Sequence, residues 1–197
     1  GLNLTYEVRN GIVKHSKGKG MIIPELKAER AITLEGQVVR VSDIIAYVNH
    51  DLDDALRAGV VRRADIPKKI TKVLGETHSK RIDVMVKDFI CQSLKTDLEE
   101  LCMSEDVSAA TYRLRDFLYD SVYESDKIIK EFRKAKKILR DLYNYYLEHI
   151  EELFQDIPAG EKLNKHRMVC DFVAGMTDVF AMMTYERLFL PQQWTVV

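Results

Sequence analysis

Proline, glycine and cysteine are scarce in this 197-residue chain, and each scarcity excludes a class of protein. Four prolines and nine glycines are too few to punctuate many short strands, so the composition favours long helices. The three cysteines are Cys91, Cys102 and Cys170, which form neither a disulfide framework nor a Cys-x-x-Cys zinc pair. We therefore expect small buried thiols in a reducing, cytoplasmic compartment.

The chain also lacks an excess of charge of one sign and any long apolar run. Thirty Lys and Arg residues against 31 Asp and Glu residues leave a net charge of −1, which excludes a chain-wide basic field for nucleic acid or anionic membranes. No apolar run approaches the ~20 residues needed to cross a bilayer, so no membrane partner is expected. The chain begins at Gly1 without an initiator Met or a signal-peptide pattern, so we expect Gly1 not to be the first residue of the gene product.

What the sequence does contain is helical periodicity along most of its length. No period-2 strand pattern interrupts it, so the predicted fold class is all-α. A Gly- and Lys-rich loop is expected at about residues 15–20. The predicted helices cover about residues 5–14, 34–58, 65–75 with Asp65 as N-cap, 79–101, a stretch to about 122 capped by Ser104, 125–154, and a last helix from after Pro158-Ala159-Gly160 to about Phe189.

The segment from Thr33 to Ala55 carries the most informative pattern. At about 100° per residue, its apolar side chains gather on one side of a helix and its polar ones on the other. The polar set comprises Asp43, Tyr47, His50, Asp51 and Asp54. Carboxylates, an imidazole and a phenol could bind a divalent cation and a polar substrate. The solvated face of an amphipathic helix gives the same pattern, so the residues alone leave both interpretations open.

Four sequence blocks, in one order, resemble the dGTPase-like family of HD phosphohydrolases. They are Gly1-Leu2-Asn3-Leu4-Thr5, Leu34-Glu35-Gly36-Gln37, Ser42-Asp43-Ile44-Ile45-Ala46-Tyr47 and Ala174-Gly175-Met176-Thr177-Asp178. The resemblance implies a multi-helix, HD-domain-like bundle, of which this chain is the C-terminal portion without the upstream HD motif. It also implies that residues 1–60 complete the HD catalytic core with its last metal-ligand Asp, and that residues 61–197 form a helical region for effector binding or oligomerisation.

The resemblance assigns roles to individual residues. In the family an H…HD…D set holds a divalent metal, and Asp43 matches its last Asp. Tyr47 and Asp51 match residues that contact the deoxyribose, where Asp51 accepts a hydrogen bond from the 3′-hydroxyl. Lys14 matches a lysine near the triphosphate, although a solvated lysine favoured by the helix dipole explains it equally well. His50 is followed by Asp51 but lies on the same helix as Asp43, so we do not expect it to bind the metal.

The implied activity is metal-dependent hydrolysis of a dNTP to the deoxynucleoside and tripolyphosphate. The cofactor would be a divalent metal such as Mg or Mn, and this chain alone, without catalytic acid or base residues of its own, is expected to be inactive. Two alternatives stay open: an HD phosphohydrolase acting on another phosphate ester, and a non-catalytic helical module for regulation or oligomerisation.

The partners that the resemblance implies are a dNTP substrate, an effector nucleotide and further copies of the chain in a homo-oligomer. Single-stranded DNA is a further candidate partner because residues 127–140 are locally basic. A solvated helix face explains that basic run as well.

Overall fold

The computed structural model describes residues 2–15, 20–153 and 164–191, and these ranges contain eight α-helices and no strand. The predicted all-α class is therefore confirmed. A π-helical turn, Tyr119–Tyr123, directly follows the fifth helix. The helices are α1 Tyr6–Lys14, α2 Leu34–Arg57, α3 Lys68–Leu74, α4 His78–Lys95, α5 Glu105–Leu118, α6 Asp126–Glu148, α7 Lys165–Ala174 and α8 Asp178–Phe189.

Most of these helices begin at a hydroxyl or amide side chain that accepts a backbone N–H of the first turn, an arrangement that stabilises a helix start by about 1 kcal/mol. Ser104 caps α5 in this way, as predicted. The N-cap predicted at Asp65 is wrong, because α3 begins after Pro67. The Asp65 carboxylate instead accepts the backbone N–H of Arg62, at 2.9 Å, in the 3-10 turn that precedes α3.

Several predicted helix ends shift for local reasons. The helix predicted to reach residue 101 ends at Lys95, because Asp97 and Leu98 adopt φ angles of 49° and 63°, in the left-handed region that an α-helix excludes. The single last helix was also wrong, because two helices, α7 and α8, are separated by residues 175–177 and Thr177 caps the second. The helix predicted to continue to about residue 154 ends at Glu148, because His149 has φ −118° and ψ 53°, outside the helical region, and a 3-10 turn follows at Ile150–Glu152. Residues 16–19 of the expected loop and the predicted break at 158–160 lie outside the described residues.

The chain divides into two compact units, residues 1–125 and 126–197. The first has a core to which α2 contributes Val41, Ile45, Val48 and Leu52, all buried. Helices α3, α4 and α5 and the segments that connect the helices contribute the other buried residues. The second is centred on Leu142, Tyr146, Val169 and Ala181. The division of roles that the resemblance implies at residue 60 differs from this structural boundary, and it stays a prediction.

A glycine contact joins α1 to the start of α2. A Cβ atom added to Gly36 would lie 2.7 Å from the Ala31 Cβ and 3.3 Å from the Gly11 Cα. The first distance is too short for any side chain. Gly36 and Gly11 together let the backbones of α1 and α2 approach closely.

Arg40, one turn further along α2, holds the segment between these helices in place. Its guanidinium is buried and donates to the carbonyls of Lys14 at 2.8 Å, Met21 at 2.6 Å and Ile22 at 3.0 Å. Each of these contacts replaces a hydrogen bond to water, and a carbonyl left without a partner costs free energy. The Arg40 side chain is therefore a structural clamp on Lys14, Met21 and Ile22.

We expect Arg40→Ala to lower the free energy of unfolding by about 2–4 kcal/mol, because three carbonyls lose their donor and the buried stem loses its packing. Urea denaturation measures this loss. Arg57→Ala is the matched control on the same helix, since Arg57 is 73% exposed and pairs with Asp53 and Asp54 at the surface, where such pairs contribute at most about 1 kcal/mol. Equal losses in the two variants would contradict the clamp.

The cysteines depart from the sequence prediction. Cys91 and Cys170 are exposed and Cys102 is partly exposed. On α4 the core-facing positions are Met85, Phe89 and Ser93, and Cys91 falls midway between two of them, on the opposite side of the helix. Burial of the thiols was therefore a wrong prediction for two of the three.

None of the helices within the described ranges is by itself long and apolar enough to cross a membrane. Taken together, α7 and α8 have sufficient length and apolar composition, but their axes are bent by 117° at the break between them.

Candidate functional site

One face of α2 carries the three residues that the sequence singled out. Asp43, Tyr47 and Asp51 are each four residues apart, so their side chains lie one above another along the helix. The core-facing residues Ile44, Val48 and Leu52 anchor the helix on another side. Asp43 is exposed, whereas Tyr47 and Asp51 are partly buried. The row therefore runs from a solvent-exposed carboxylate to a sheltered one.

A second row, from α5 and the π-helical turn, meets the sheltered part of the first. It contains Arg115, Tyr119 and Tyr123, again four residues apart. The Tyr123 hydroxyl donates a hydrogen bond to the Asp51 carboxylate, and the rings of Tyr119 and Tyr123 meet edge to face with centroids 5.0 Å apart. Single π-helical turns are rare and often occur at functional sites. This one determines where the Tyr123 hydroxyl lies relative to α2.

The phenols of this cluster resist ionisation. Burial raises the pKa of Tyr47, and the charges of Asp43 and Asp51 raise it further, while the positive charge of Arg115 opposes them. Burial also raises the pKa of Tyr123, and its hydrogen bond to Asp51 adds to that effect. Both hydroxyls are thus protonated at neutral pH and act as donors. Asp51 accepts a hydrogen bond from Tyr123 and, as a carboxylate, keeps capacity for another donor.

Arg115 brings the positive charge into this cluster. Its side chain is 7% exposed, its Nη1 donates to the Gly20 carbonyl at 2.5 Å, and its guanidinium lies 4.9 Å from the Tyr112 ring centroid. Its buried Nε has no hydrogen-bond partner in the described part of the chain. A buried guanidinium with one donor unused favours a nearby anion or ordered water.

Lys14 and His50 contact residues that do not belong to this cluster. The Lys14 ammonium donates to the Ala28 carbonyl at 2.6 Å, so it is directed at the backbone of residues 20–33 in this conformation. His50 is exposed and stacks on His78 with ring centroids 5.3 Å apart. The phosphate role of Lys14 and the absence of a metal role for His50 both stay predictions.

The described residues do not make a metal site by themselves. No three His, Cys, Asp or Glu side chains within residues 2–15, 20–153 and 164–191 come together in a way that could hold a metal ion. Asp43 offers one carboxylate, whereas divalent cations such as Mg²⁺ require about six oxygen ligands. A metal at Asp43 therefore depends on donors from outside these residues.

Sequence reasoning missed Arg115, Tyr119 and Tyr123. Their four-residue spacing was visible, and a polar row on a predicted helix could have been noted there as it was on α2. What the sequence does not contain is the pairing of that row with α2, because Tyr123 and Asp51 are 72 residues apart. The π-helical turn adds to the difficulty, since an ideal α-helix would direct Tyr123 elsewhere.

Comparisons with known proteins show what this chain is similar to. Residues 101–187 match the model of a phosphohydrolase-associated domain. The chain is 41% identical over 195 residues to a deoxyguanosinetriphosphate triphosphohydrolase-like protein from Caldanaerobacter subterraneus, covering 98% of this chain and 54% of that protein. Proteins with the same description from Desulfatibacillum aliphaticivorans and Clostridium tetani are 44% and 39% identical over 200 and 198 residues.

The chain spans 54–57% of the length of these relatives. The matched region is a C-terminal portion of them, as the sequence blocks predicted. Over nearly its whole length the chain is similar to deoxyguanosinetriphosphate triphosphohydrolase-like proteins, and it corresponds to a C-terminal portion of them.

Proposed function

We propose that the full-length protein hydrolyses deoxynucleoside triphosphates to the deoxynucleoside and tripolyphosphate, and that this chain supplies the sugar-binding part of the site. The observation that carries the proposal is the meeting of the two polar rows. Asp51, held by Tyr123, and Tyr47, beside Arg115, lie between α2 and α5. The names of the relatives, which refer to dGTP hydrolysis, support the same assignment.

Sugar recognition follows from the hydrogen-bonding capacity of Asp51. Tyr123 uses one of its carboxylate oxygens, and the other can accept a hydrogen bond from the 3′-hydroxyl of a deoxyribose. A partly buried acceptor is left unpaired when the sugar lacks that hydroxyl, which makes such a site selective. The neighbouring phenols of Tyr47 and Tyr119 add flat surfaces against which a sugar ring can pack.

We assign phosphate binding to Arg115. Lys14 would take part when its ammonium leaves the Ala28 carbonyl, to which it donates a hydrogen bond here. The buried Nε of Arg115 has no hydrogen-bond partner in the described part of the chain, and the positive charge of Arg115 acts on Tyr47. Guanidinium groups form strong, directional hydrogen bonds with phosphate oxygens. Asp43 is the metal-ligand candidate at the exposed end of the α2 row. A bound Mg²⁺ or Mn²⁺ polarises a phosphoryl oxygen and lowers the pKa of a coordinated water.

The test is tripolyphosphate release from each of the four dNTPs by the full-length protein with Mg²⁺ or Mn²⁺, measured beside ribonucleotide triphosphates and nucleoside monophosphates. We expect tripolyphosphate release from at least one dNTP. Hydrolysis of monophosphates or other esters in place of dNTPs would favour the alternative of a different phosphate-ester substrate.

A non-catalytic role predicts a different set of results. A helical regulatory module would release no phosphate from any nucleotide. It would also show no change in melting temperature on addition of Mg²⁺ or Mn²⁺, because its acidic face would be solvated and would lack a cation site. A metal-dependent thermal shift together with turnover would exclude that role.

A further inference from the structure

A buried polar pair joins α2 to α4. Asn49 is 0% exposed and Arg81 is 2% exposed. The Arg81 Nε donates a hydrogen bond of 2.9 Å to the side-chain oxygen of Asn49, and the Arg81 Nη1 donates one of 3.2 Å to the carbonyl of Glu76, which precedes α4. We call Asn49 and Arg81 the α2–α4 pair.

The hydrogen bonds of Asn49 fix the direction of its side-chain amide. The amide nitrogen donates to the Ile45 carbonyl at 2.8 Å and to the Met85 sulfur at 3.3 Å, while the amide oxygen accepts from Arg81. A flipped amide would direct its N–H groups at the guanidinium, which contains donors only. The pair therefore forms in one orientation, and it specifies how α2 is rotated relative to α4.

Burying a guanidinium costs free energy, so stability alone does not explain the α2–α4 pair. The Arg81 Nη2 is buried and has no hydrogen-bond partner among the residues that the structure describes. Apolar residues in place of a buried charged group and its partner are often neutral or stabilising. They are also less directional, since helix crossing angles scatter by about 15–20° around their preferred values. What the pair adds to apolar packing is a defined orientation of α2.

Asn49 lies at the same level of α2 as the candidate site, on the other side of the helix. It is two residues from Tyr47 and two from Asp51, which places it about 3 Å along the helix axis and about 160° around it from each. Side chains extend about 5–6 Å from the axis, so a rotation of α2 by about 10° displaces the Asp51 carboxylate by about 1 Å. A misplacement of about 1 Å can lower a rate by about 10²-fold.

We infer that Arg81 and Asn49 are positioning residues for the candidate site, because their hydrogen bond sets the rotation of α2 at which Asp51 meets the Tyr123 hydroxyl. Neither residue touches the substrate in this role, and both act through Asp51. The effect on catalysis rests on the proposed function, whereas the contact between Asp51 and Tyr123 can be measured without turnover.

The test replaces the pair by apolar side chains in the full-length protein, as the double variant Arg81→Met/Asn49→Leu. We expect an equal or higher melting temperature, because no buried charge is left unpaired. We also expect the kcat/KM preference for a dNTP over the matching 2′,3′-dideoxynucleotide to fall at least ~10-fold. Arg81→Lys keeps the charge but loses the planar guanidinium, so it should lower this preference at least ~3-fold and gives the answer if the double variant does not fold.

Ser93→Ala is the matched control on α4. Ser93 is also 2% exposed, but its hydroxyl bonds to the backbone of Cys102 and not to α2. Its loss weakens the attachment of α4 while the α2–α4 pair stays intact, so the preference should match that of the unaltered protein. An unchanged preference in both Arg81 variants would overturn the inference, as would an equal loss in Ser93→Ala.

The contact between Asp51 and Tyr123 is measured by ¹⁹F NMR of full-length protein that contains 3-fluorotyrosine, with the Tyr123 signal assigned from Tyr123→Phe. We expect the double variant to move this signal toward its position in Asp51→Ala. An unmoved signal would overturn the inference whether or not dNTPs are hydrolysed. A moved signal in a protein that releases no tripolyphosphate would support the positioning of Asp51 and would contradict the proposed function.

Discussion

Asp43→Ala in the full-length protein is expected to remove the bound divalent metal and to lower kcat by at least ~10³-fold. Asp43 is the exposed carboxylate at the end of the α2 row, and its proposed role is to bind the metal directly. The loss of one charged ligand weakens a hard-cation site strongly, since the remaining ligands no longer complete its coordination. The phosphoryl group then loses its main electrostatic stabilisation in the transition state. Metal content by elemental analysis and tripolyphosphate release measure the two effects.

The chain offers a matched control for this substitution. Asp54 lies on the same helix, is also exposed, and pairs with Arg57 at the surface. Asp54→Ala changes the charge of α2 equally, so it separates a ligand role from a general effect of acidic charge. We expect its metal content and turnover to match those of the unaltered protein. Stoichiometric metal and full turnover in Asp43→Ala would show that Asp43 is not a ligand.

The parts of the molecule that follow from local sequence were predicted well. The polar face of α2 depends only on helical periodicity, and the helix observed at Leu34–Arg57 lies within one residue of the expected range. The cap at Ser104 was likewise predictable, because a hydroxyl that accepts an N–H of the first turn is a local interaction. The end of α4 at Lys95 was missed because two non-glycine residues, Asp97 and Leu98, adopt positive φ, which their side chains do not favour.

The second row of the candidate site depends on long-range packing. Arg115 has polar contacts with Gly20, 95 residues away, and Tyr123 has one with Asp51, 72 residues away. Helical periodicity assigns each residue to a face of its own helix but does not indicate which faces meet. The sequence therefore predicted half of the cluster, and the packing of α5 against α2 supplied the other half.

Asp51→Ala in the full-length protein is expected to remove the enzyme's preference for a sugar with a 3′-hydroxyl. In the unaltered protein, a dNTP should exceed the matching 2′,3′-dideoxynucleotide in kcat/KM by ~10² or more, because the dideoxy sugar leaves a partly buried carboxylate unpaired. Removing the carboxylate should lower kcat/KM for the dNTP on the order of 10²-fold and bring the two substrates close together. Metal content should stay unchanged, since the proposed ligand is Asp43.

Tyr123→Phe is the variant that tests how Asp51 is held. It keeps the ring that packs edge to face against Tyr119 and removes only the hydroxyl that donates to Asp51. The carboxylate stays in place as an acceptor but loses its fixed orientation, so we expect a loss in dNTP kcat/KM of about 10-fold with part of the 3′-hydroxyl preference retained.

An unchanged preference in Asp51→Ala, or metal loss in that variant, would show that Asp51 does not recognise the sugar. If the phenol acts through the carboxylate, Asp51→Ala must have a lower kcat/KM for the dNTP than Tyr123→Phe. A phenol that bound the sugar independently would instead give losses that add in the double variant.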